Sequence, residues 1–456
     1  MRLKAKRRWH LSIWQMLTLG YLCVILIGTL LLMLPFATRE GESTTLLNAL
    51  FTSTSATCVT GLIAYDTATH WTLFGQIVII CLIQLGGLGF MTVVSAIFRL
   101  LHRDIGLFGS KMLMASTGGG NRAEMKRLFS HILLGTLLIE GLGAILLSIR
   151  FIPQLGVGRG IYFAVWHSIS AFCNAGFDLM GGVHSADTFV SFTHYATDPL
   201  VSLTLCGLII LGGLGFCVWE DVLKRRGRFR RFQLHTKLVL VSTAGLLLLS
   251  TLLFLFFERN HFDPTYTHGE KLLISFFNAT TPRTAGFNTV DLSTLSDSGY
   301  LLMLSLMFVG GSSASTAGGI KITTFFVIVA GIFSVFRGRQ DIELGKKRLS
   351  HNLLHQALAI FVSCLAIVLA ATVAICAIEE HNAAATLHAV LFETFSAMGT
   401  VGLSLGLTPT LAAASRIILM LLMYAGRVGI LTIALAVAER RSTASVKRPL
   451  DNILIG

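Results

Sequence analysis

The chain has 456 residues, 54% of them hydrophobic and only 13% charged, about half the charged share of an ordinary soluble domain. Its mean hydropathy is +0.74, which excludes a soluble globular fold. Its formal net charge of +13 is split into clusters separated by long apolar runs, which excludes a continuous nucleic-acid-binding face.

A run must hold about 20 apolar residues to cross a ~30 Å hydrocarbon layer. The first that qualifies is 13–35. It is too long for a signal-peptide core and lacks a small-residue cleavage site, so it is expected to remain as a spanning helix. Later runs at 128–152, 238–257 and 353–378 qualify equally. After each comes a short amphipathic stretch, expected as a helix over 46–56, 161–171, 270–280 and 386–397. A second apolar run follows, with a glycine-rich centre at Gly86-Gly87-Leu88-Gly89, Gly212-Gly213-Leu214-Gly215, Gly310-Gly311 or Gly426-Arg427-Val428-Gly429.

The recurrence is an internal repeat. FTSTSATCVTGL, WHSISAFCNAGF, FFNATTPRTAGF and FETFSAMGTVGL align on Gly61, Gly176, Gly286 and Gly402, spaced 115, 110 and 116 residues apart. Ten positions before each glycine stands Phe51, Trp166, Phe276 or Phe392, and six before it Ser55, Ser170, Thr280 or Ser396. The repeats are expected at 1–110, 111–225, 226–345 and 346–456. Each holds a spanning outer helix, a short pore helix, a glycine loop and a spanning inner helix. Pro35 and Pro153 are expected to close outer helices and Pro199 to open an inner one.

A short helix of 11 or 12 residues reaches about half the bilayer at 1.5 Å per residue, so it must enter and leave on one side. Charge demands the same. The N-terminal tail and the clusters at 99–127, 224–237, 337–348 and 440–448 hold 27 of the 36 basic residues and four of the 23 acidic ones. The positive-inside rule places all five in the cytoplasm. The expected fold is an all-α membrane protein with eight spans, both termini inside, and four units in pseudo-fourfold arrangement about one pore. The eight cysteines lack metal-ligand spacing and read as core residues.

Non-helical backbone at membrane depth leaves amides and carbonyls unsatisfied unless protein or a water-filled path serves them. Four half-helices ending near one axis would direct partial negative charge there, which favours a cation. Glycine lets its carbonyl face such an axis, and a carbonyl ring can replace a potassium ion's water shell. The candidate filter residues are Cys58, Val59, Thr60, Gly61; Cys173, Asn174, Ala175, Gly176; Arg283, Thr284, Ala285, Gly286; and Gly399, Thr400, Val401, Gly402.

The motifs Thr-Gly-Leu at 60–62, Asn-Ala-Gly-Phe at 174–177, Arg-Thr-Ala-Gly-Phe-Asn at 283–288 and Thr-Val-Gly-Leu at 400–403 resemble those of the Trk/Ktr/HKT superfamily, most closely its KtrB branch. The resemblance spans essentially the whole chain. It implies potassium uptake by a homodimer in the bacterial inner membrane. It also implies a separate cytosolic KtrA-like ring that binds ATP or ADP, the pore itself holding no nucleotide and no covalent cofactor. Sodium stays open as an activator. Gly61 at the first filter implies potassium, since serine there accompanies sodium permeation in the superfamily. The clusters at 224–231 and 337–348 are candidate docking surfaces for the ring.

The third inner run departs from the others. Gly310, Gly311, Ser312, Ser313, Thr316, Gly318 and Gly319 belong to a small-residue stretch of poor helix propensity. It is expected to break into a loop across the pore, the alternative being a close-packed helix interface; the resemblance implies an intramembrane gate here. Arg427, mid-span in the fourth inner run, is expected to donate to carbonyls of this loop and hold it closed. Lys321 either does the same or snorkels to the interface. Glu140 is expected to bond a neighbouring helix, Arg283 and Glu393 to pair behind the filters, and Trp166 and His167 to pack the second pore helix. No nucleophile–base pair or HExxH motif points to an enzyme. The rival reading is a secondary transporter coupled to sodium or protons.

Overall fold

The computed structural model describes residues 12–89, 122–183, 188–339, 341–344 and 347–438. Both basic tails, most of the cluster at 99–127 and the boundary between the first two repeats lie outside the described residues.

The first repeat holds α1 (Ile13–Leu32), α2 (Leu46–Cys58), α3 (Thr67–His70) and α4 (Leu73–Leu88). The second holds α5 (Arg122–Leu155), α6 (Val157–Cys173), α7 (Pro199–Leu214) and α8 (Phe216–Lys224). The third holds α9 (Leu234–Phe257), α10 (His268–Thr280), α11 (Asp297–Phe308) and α12 (Ile322–Phe336). The fourth holds α13 (His351–Ile378), α14 (Leu387–Gly399), α15 (Ala413–Val428) and α16 (Ile430–Ala438). Between the last two lies an antiparallel hairpin of β1 (Ile342–Leu344) and β2 (Lys347–Leu349), with Glu343 opposite Arg348. This small hairpin corrects the all-α expectation.

Helices α1, α5, α9 and α13 are long and apolar enough to span a membrane, yet their spanning windows are only 22% to 39% buried. Leu137, Leu142, Leu248 and Val373 stand exposed on them. Such belts are costly in water and ordinary against lipid tails, so this is a multi-pass membrane protein.

Local chemistry sets where helices begin. Ser12 and Gln15 form a capping box at α1, as do Thr267 and Glu270 at α10. Thr72, Asp198 and Ser296 cap α4, α7 and α11 through their side-chain oxygens, and Pro199 occupies the first position of α7. At α15 the cap is borrowed: Glu379 accepts from Ala412 N (2.7 Å) and Ser415 Oγ (2.6 Å).

Two expectations need correction. Pro153 lies inside α5, two residues before its end, rather than closing it. The inner runs are not continuous spans. Gly215 (φ 96°) turns α7 into α8 by 88°, and Gly429 (φ 89°) turns α15 into α16 by 91°. Gly89 (φ 82°) likewise ends α4. Positive φ at a residue without Cβ is what permits such an elbow.

Each long helix packs on the short helix that follows it: α1 on α2, α5 on α6, α9 on α10, α13 on α14. Each short helix also packs on an inner helix of the preceding repeat: α6 on α4, α10 on α7, α14 on α11, and α2 back on α15. A repeated hydroxyl fixes the first kind of contact. Ser53 and Ser168, each eight residues before its glycine, donate to the carbonyls of Ile25 (2.7 Å) and Glu140 (2.6 Å). Gly28 and Gly143 leave room for those hydroxyls. Thr394, at the same offset, meets Thr372 at 2.8 Å.

Candidate ion pathway

The ends of the short helices build the site. In α2, α6 and α14 the chain leaves the helix through a left-handed residue: Val59 (φ 56°), Asn174 (φ 59°) or Thr400 (φ 51°). Each ending carries the same paired bonds, with Val59 N donating to Ala56 O (3.1 Å) and Thr60 N to Ser55 O (2.8 Å) in the first repeat. This is the Schellman arrangement, with valine, asparagine or threonine where glycine is usual. A β-branched residue there costs about 1–2 kcal/mol, strain that must be held by the surroundings.

The third repeat reaches the same backbone differently. Pro282 has no N–H to give, α10 ends at Thr280, and Thr284 takes the positive φ of 71°. The loop-holding hydroxyl shifts with it. Ser55 and Ser396 accept from the N–H groups of Gly61 (3.1 Å) and Gly402 (3.0 Å), and Ser170 donates to Phe177 O (2.7 Å). In the third repeat Thr281, not the aligned Thr280, donates to Phe287 O (2.5 Å), while Thr280 bonds its own helix. The adjacent Thr-Thr-Pro was the sequence signal for this slip.

The four glycines gather. Gly61, Gly176, Gly286 and Gly402 have φ of 95°, 70°, 82° and 91°. A methyl on Gly61 would meet the Ala175 carbonyl, one on Gly176 that of Ala285, one on Gly286 that of Val401, and one on Gly402 that of Thr60. These contacts close a cycle. No donor among the described residues bonds the carbonyls of Val59, Thr60, Asn174, Ala175, Thr284, Ala285, Thr400 or Val401. Eight unbonded carbonyls of buried residues demand another partner.

Above the glycines opens a cavity of about 460 Å³, lined by all four of them with Asp178, Asn288 and Asp291. Asn288 ends the third quoted motif, whereas Asp178 and Asp291 stand outside the repeat and were not marked by it. Burial pushes the Asp178 carboxyl up to about 7; the Met180 N–H opposes this and the Asp66 carboxylate adds to it.

Below them α11 ends at Phe308 and α12 starts at Ile322, with irregular backbone between. Gly310 N donates to Ile320 O (2.9 Å) and Ser312 N to Gly213 O (2.9 Å). Thr316 Oγ1 donates to Phe172 O at 3.1 Å. A Cβ on Gly310 would meet Thr284, and Cβ atoms on Gly318 and Gly319 would meet Thr400 and Gly399. Ala314 (φ 55°) and Gly319 (φ 60°) set the turns. This is a loop rather than a close-packed helix.

Arg427 lies one residue before the end of α15. Its Nη1 donates to Thr316 O of the loop, and its Nη2 to the carbonyls of Gly86 and Gly87, the latter at 3.1 Å. The contacts with the first repeat follow from where α4 stops, at Leu88, which leaves the carbonyls of its last turn open to a donor. Lys321 turns back and donates Nζ to Ala317 O (2.7 Å) and Gly318 O (3.3 Å).

The expected pair behind the filters is not formed. Glu393 accepts from Ser404 Oγ and from Thr408 Oγ1 (2.9 Å), whereas Arg283 is buried with Nη2 3.5 Å from Thr243 Oγ1. Hydroxyls downstream of the fourth glycine reach Glu393 first. His167 is a satisfied core residue: Nδ1 lies 2.7 Å from Phe163 O and Nε2 accepts from Leu179 N. Trp166 donates to Phe177 O at 3.1 Å. Glu140 accepts from Gln84 at 3.1 Å, the expected bond to a neighbouring helix.

A family described as TrkH, cation transport protein, matches residues 15–448. The potassium/sodium uptake protein NtpJ of Enterococcus hirae is 38% identical over 100% of this chain and 99% of its own. The Ktr system potassium uptake protein B of Bacillus subtilis is 40% identical over 97% and 96%, and its Vibrio alginolyticus namesake 38% over 97% and 94%. The crystal structure of the potassium transporter TrkH from Vibrio parahaemolyticus aligns with a TM-score of 0.72, over 94% of this chain and 86% of that one. At 16% identity that likeness is one of fold. These are names of transport proteins and not of enzymes, in agreement with the sequence.

Proposed function

Because the chain belongs to the TrkH family of cation transport proteins, we propose that it is the ion-translocating subunit of a Ktr-type potassium uptake system. One observation carries the reading: the four glycine loops close a cycle in which eight carbonyls lack a donor among the described residues. In this reading the four repeats surround one pore in pseudo-fourfold array. Eight crossings result when each broken inner run counts as one, with both termini in the cytoplasm of a bacterial inner membrane.

A potassium ion entering from the cavity above the glycines exchanges water for carbonyl oxygens. The residues at 58–61, 173–176, 283–286 and 399–402 form the filter. The left-handed residues turn successive carbonyls toward one side, and the hydroxyls behind them hold the spacing. The loop at 310–319 is the gate. Arg427 ties its Thr316 carbonyl to the first repeat and sets a positive charge below the filter, and Lys321 staples the loop's own end. The subunit works as a homodimer under a KtrA-like ring that binds the nucleotide, a partnership supported by the relatives named as Ktr system components. Docking falls to the basic segment at 337–348.

Proteoliposomes holding the purified protein test this. With opposed potassium and sodium gradients the reversal potential follows the potassium gradient alone. A shift with sodium at fixed potassium supports the second reading, a sodium-coupled transporter, which the name of the Enterococcus hirae relative favours.

A further inference from the structure

A groove of about 610 Å³ lies between α5, the α7–α8 elbow and α9, within the size range of ligand sites. Its walls are Leu138 and Ile139 of α5, Leu211 of α7, Phe216 and Trp219 of α8 and Leu240 of α9. Leu138 stands 58% exposed beside it, on a helix that crosses the membrane. The groove therefore opens sideways into the bilayer, which the ion path does not.

The mouth is polar, and its own charges are already spent. His131 Nδ1 and Lys224 Nζ each lie 2.9 Å from Glu220, and Arg225 is 2.7 Å from Asp221. From His131 to Leu138 is seven helical residues, so the groove runs about 10 Å from rim to wall. Gly227 and Phe232 line it, and the exposed residues beside them in the chain are Arg226, Arg228 and Arg231, with Arg230 between. Among the described residues none of these four guanidiniums has an acidic partner.

We propose that this groove binds an anionic phospholipid, one acyl chain lying along Leu138 and Leu211 and the phosphate held by Arg226, Arg228, Arg230 and Arg231. A zwitterionic lipid would fill the same walls but leave four cations uncompensated. Phosphate and guanidinium match in charge and in bidentate geometry. The elbow has the groove on one face and the loop at 310–319 on the other, where Phe216 N donates to Ala314 O at 2.8 Å. A chain seated against Phe216 and Trp219 therefore braces the backbone that supports the loop.

The test reads lipid retention and needs no ion flux, so it stands apart from the proposed transport function. The full-length delipidated protein is titrated with phosphatidylglycerol or phosphatidylcholine, and bound lipid is counted by native mass spectrometry. The wild type is expected to prefer phosphatidylglycerol about ten-fold or more, given roughly five-fold per basic residue near a membrane surface. The combined Arg226→Gln, Arg228→Gln, Arg230→Gln and Arg231→Gln variant should lose that preference. Leu138→Trp, which fills the groove and keeps every charge, should weaken retention of both lipids. Equal binding of the two lipids by the wild type overturns the proposal, as does an undiminished preference in the quadruple variant. If that variant fails to stay monodisperse, Leu138→Trp decides: wild-type retention of phosphatidylglycerol by it also overturns the proposal.

Discussion

Replacing Arg427 with alanine removes a side chain that ties the loop at 310–319 to the first repeat. Three bonds are lost, to the carbonyls of Thr316, Gly86 and Gly87. A hydrogen bond to a charged group contributes about 1.5–3 kcal/mol, and water in a pore replaces part of that. A net loss of about 2–3 kcal/mol from the closed state is a reasonable magnitude for the set. At ~1.4 kcal/mol per factor of ten, the open-to-closed ratio should rise roughly 30- to 150-fold. The assay is rubidium uptake into proteoliposomes by monodisperse protein at matched incorporation. A pore that is mostly closed at rest should then conduct about ten-fold faster or more. Arg427→Gln separates the two contributions, because it removes the charge and keeps a shorter donor; an intermediate flux indicates that bonding and charge both act. A folded Arg427→Ala protein with wild-type flux would refute the reasoning, since the loop would then be held by something else.

The other predictions concern the filter and its cavity. Gly61→Ser must place a Cβ at φ 95° against the Ala175 carbonyl; the potassium-to-sodium permeability ratio from reversal potentials should fall. Thr281→Val should lower that ratio while Thr280→Val, whose hydroxyl bonds Phe276 O of its own helix rather than the glycine loop, should leave it near wild type; the reverse order would show that the aligned residue is the one that counts. Asp178, with its carboxyl pushed up to about 7, is neutral below that pH and negative above it. Cation attraction into the cavity should therefore grow from pH 6 to pH 8, lowering the KM for rubidium, and Asp178→Asn should flatten the profile. Adding sodium to the same uptake assay distinguishes activation from competition.

What the sequence made legible were the features that repeat. Four glycines in register located the loops, and hydroxyls at a fixed offset located three of the four loop anchors. Apolar run length found α1, α5, α9 and α13. The elbows were hidden because a glycine inside an apolar run reads as a packing residue as readily as a turn; only the backbone at Gly215 and Gly429 distinguishes them. The third anchor was hidden by Pro282, which shifts the helix end without disturbing the alignment. Glu393 and Arg283 looked like partners because opposite charges deep in an apolar chain invite pairing. Ser404 and Thr408 lie close in sequence to Glu393 and satisfy it locally. The hairpin at 342–349 has three residues per strand, too few for alternation to signal it.

The most direct measurement of the central claim is anomalous scattering from crystals grown in rubidium in place of potassium. Peaks on the axis enclosed by Gly61, Gly176, Gly286 and Gly402, level with the carbonyls of the residues just before them, are the predicted result. Rubidium bound elsewhere, with that ring empty at saturating ion, would contradict the account.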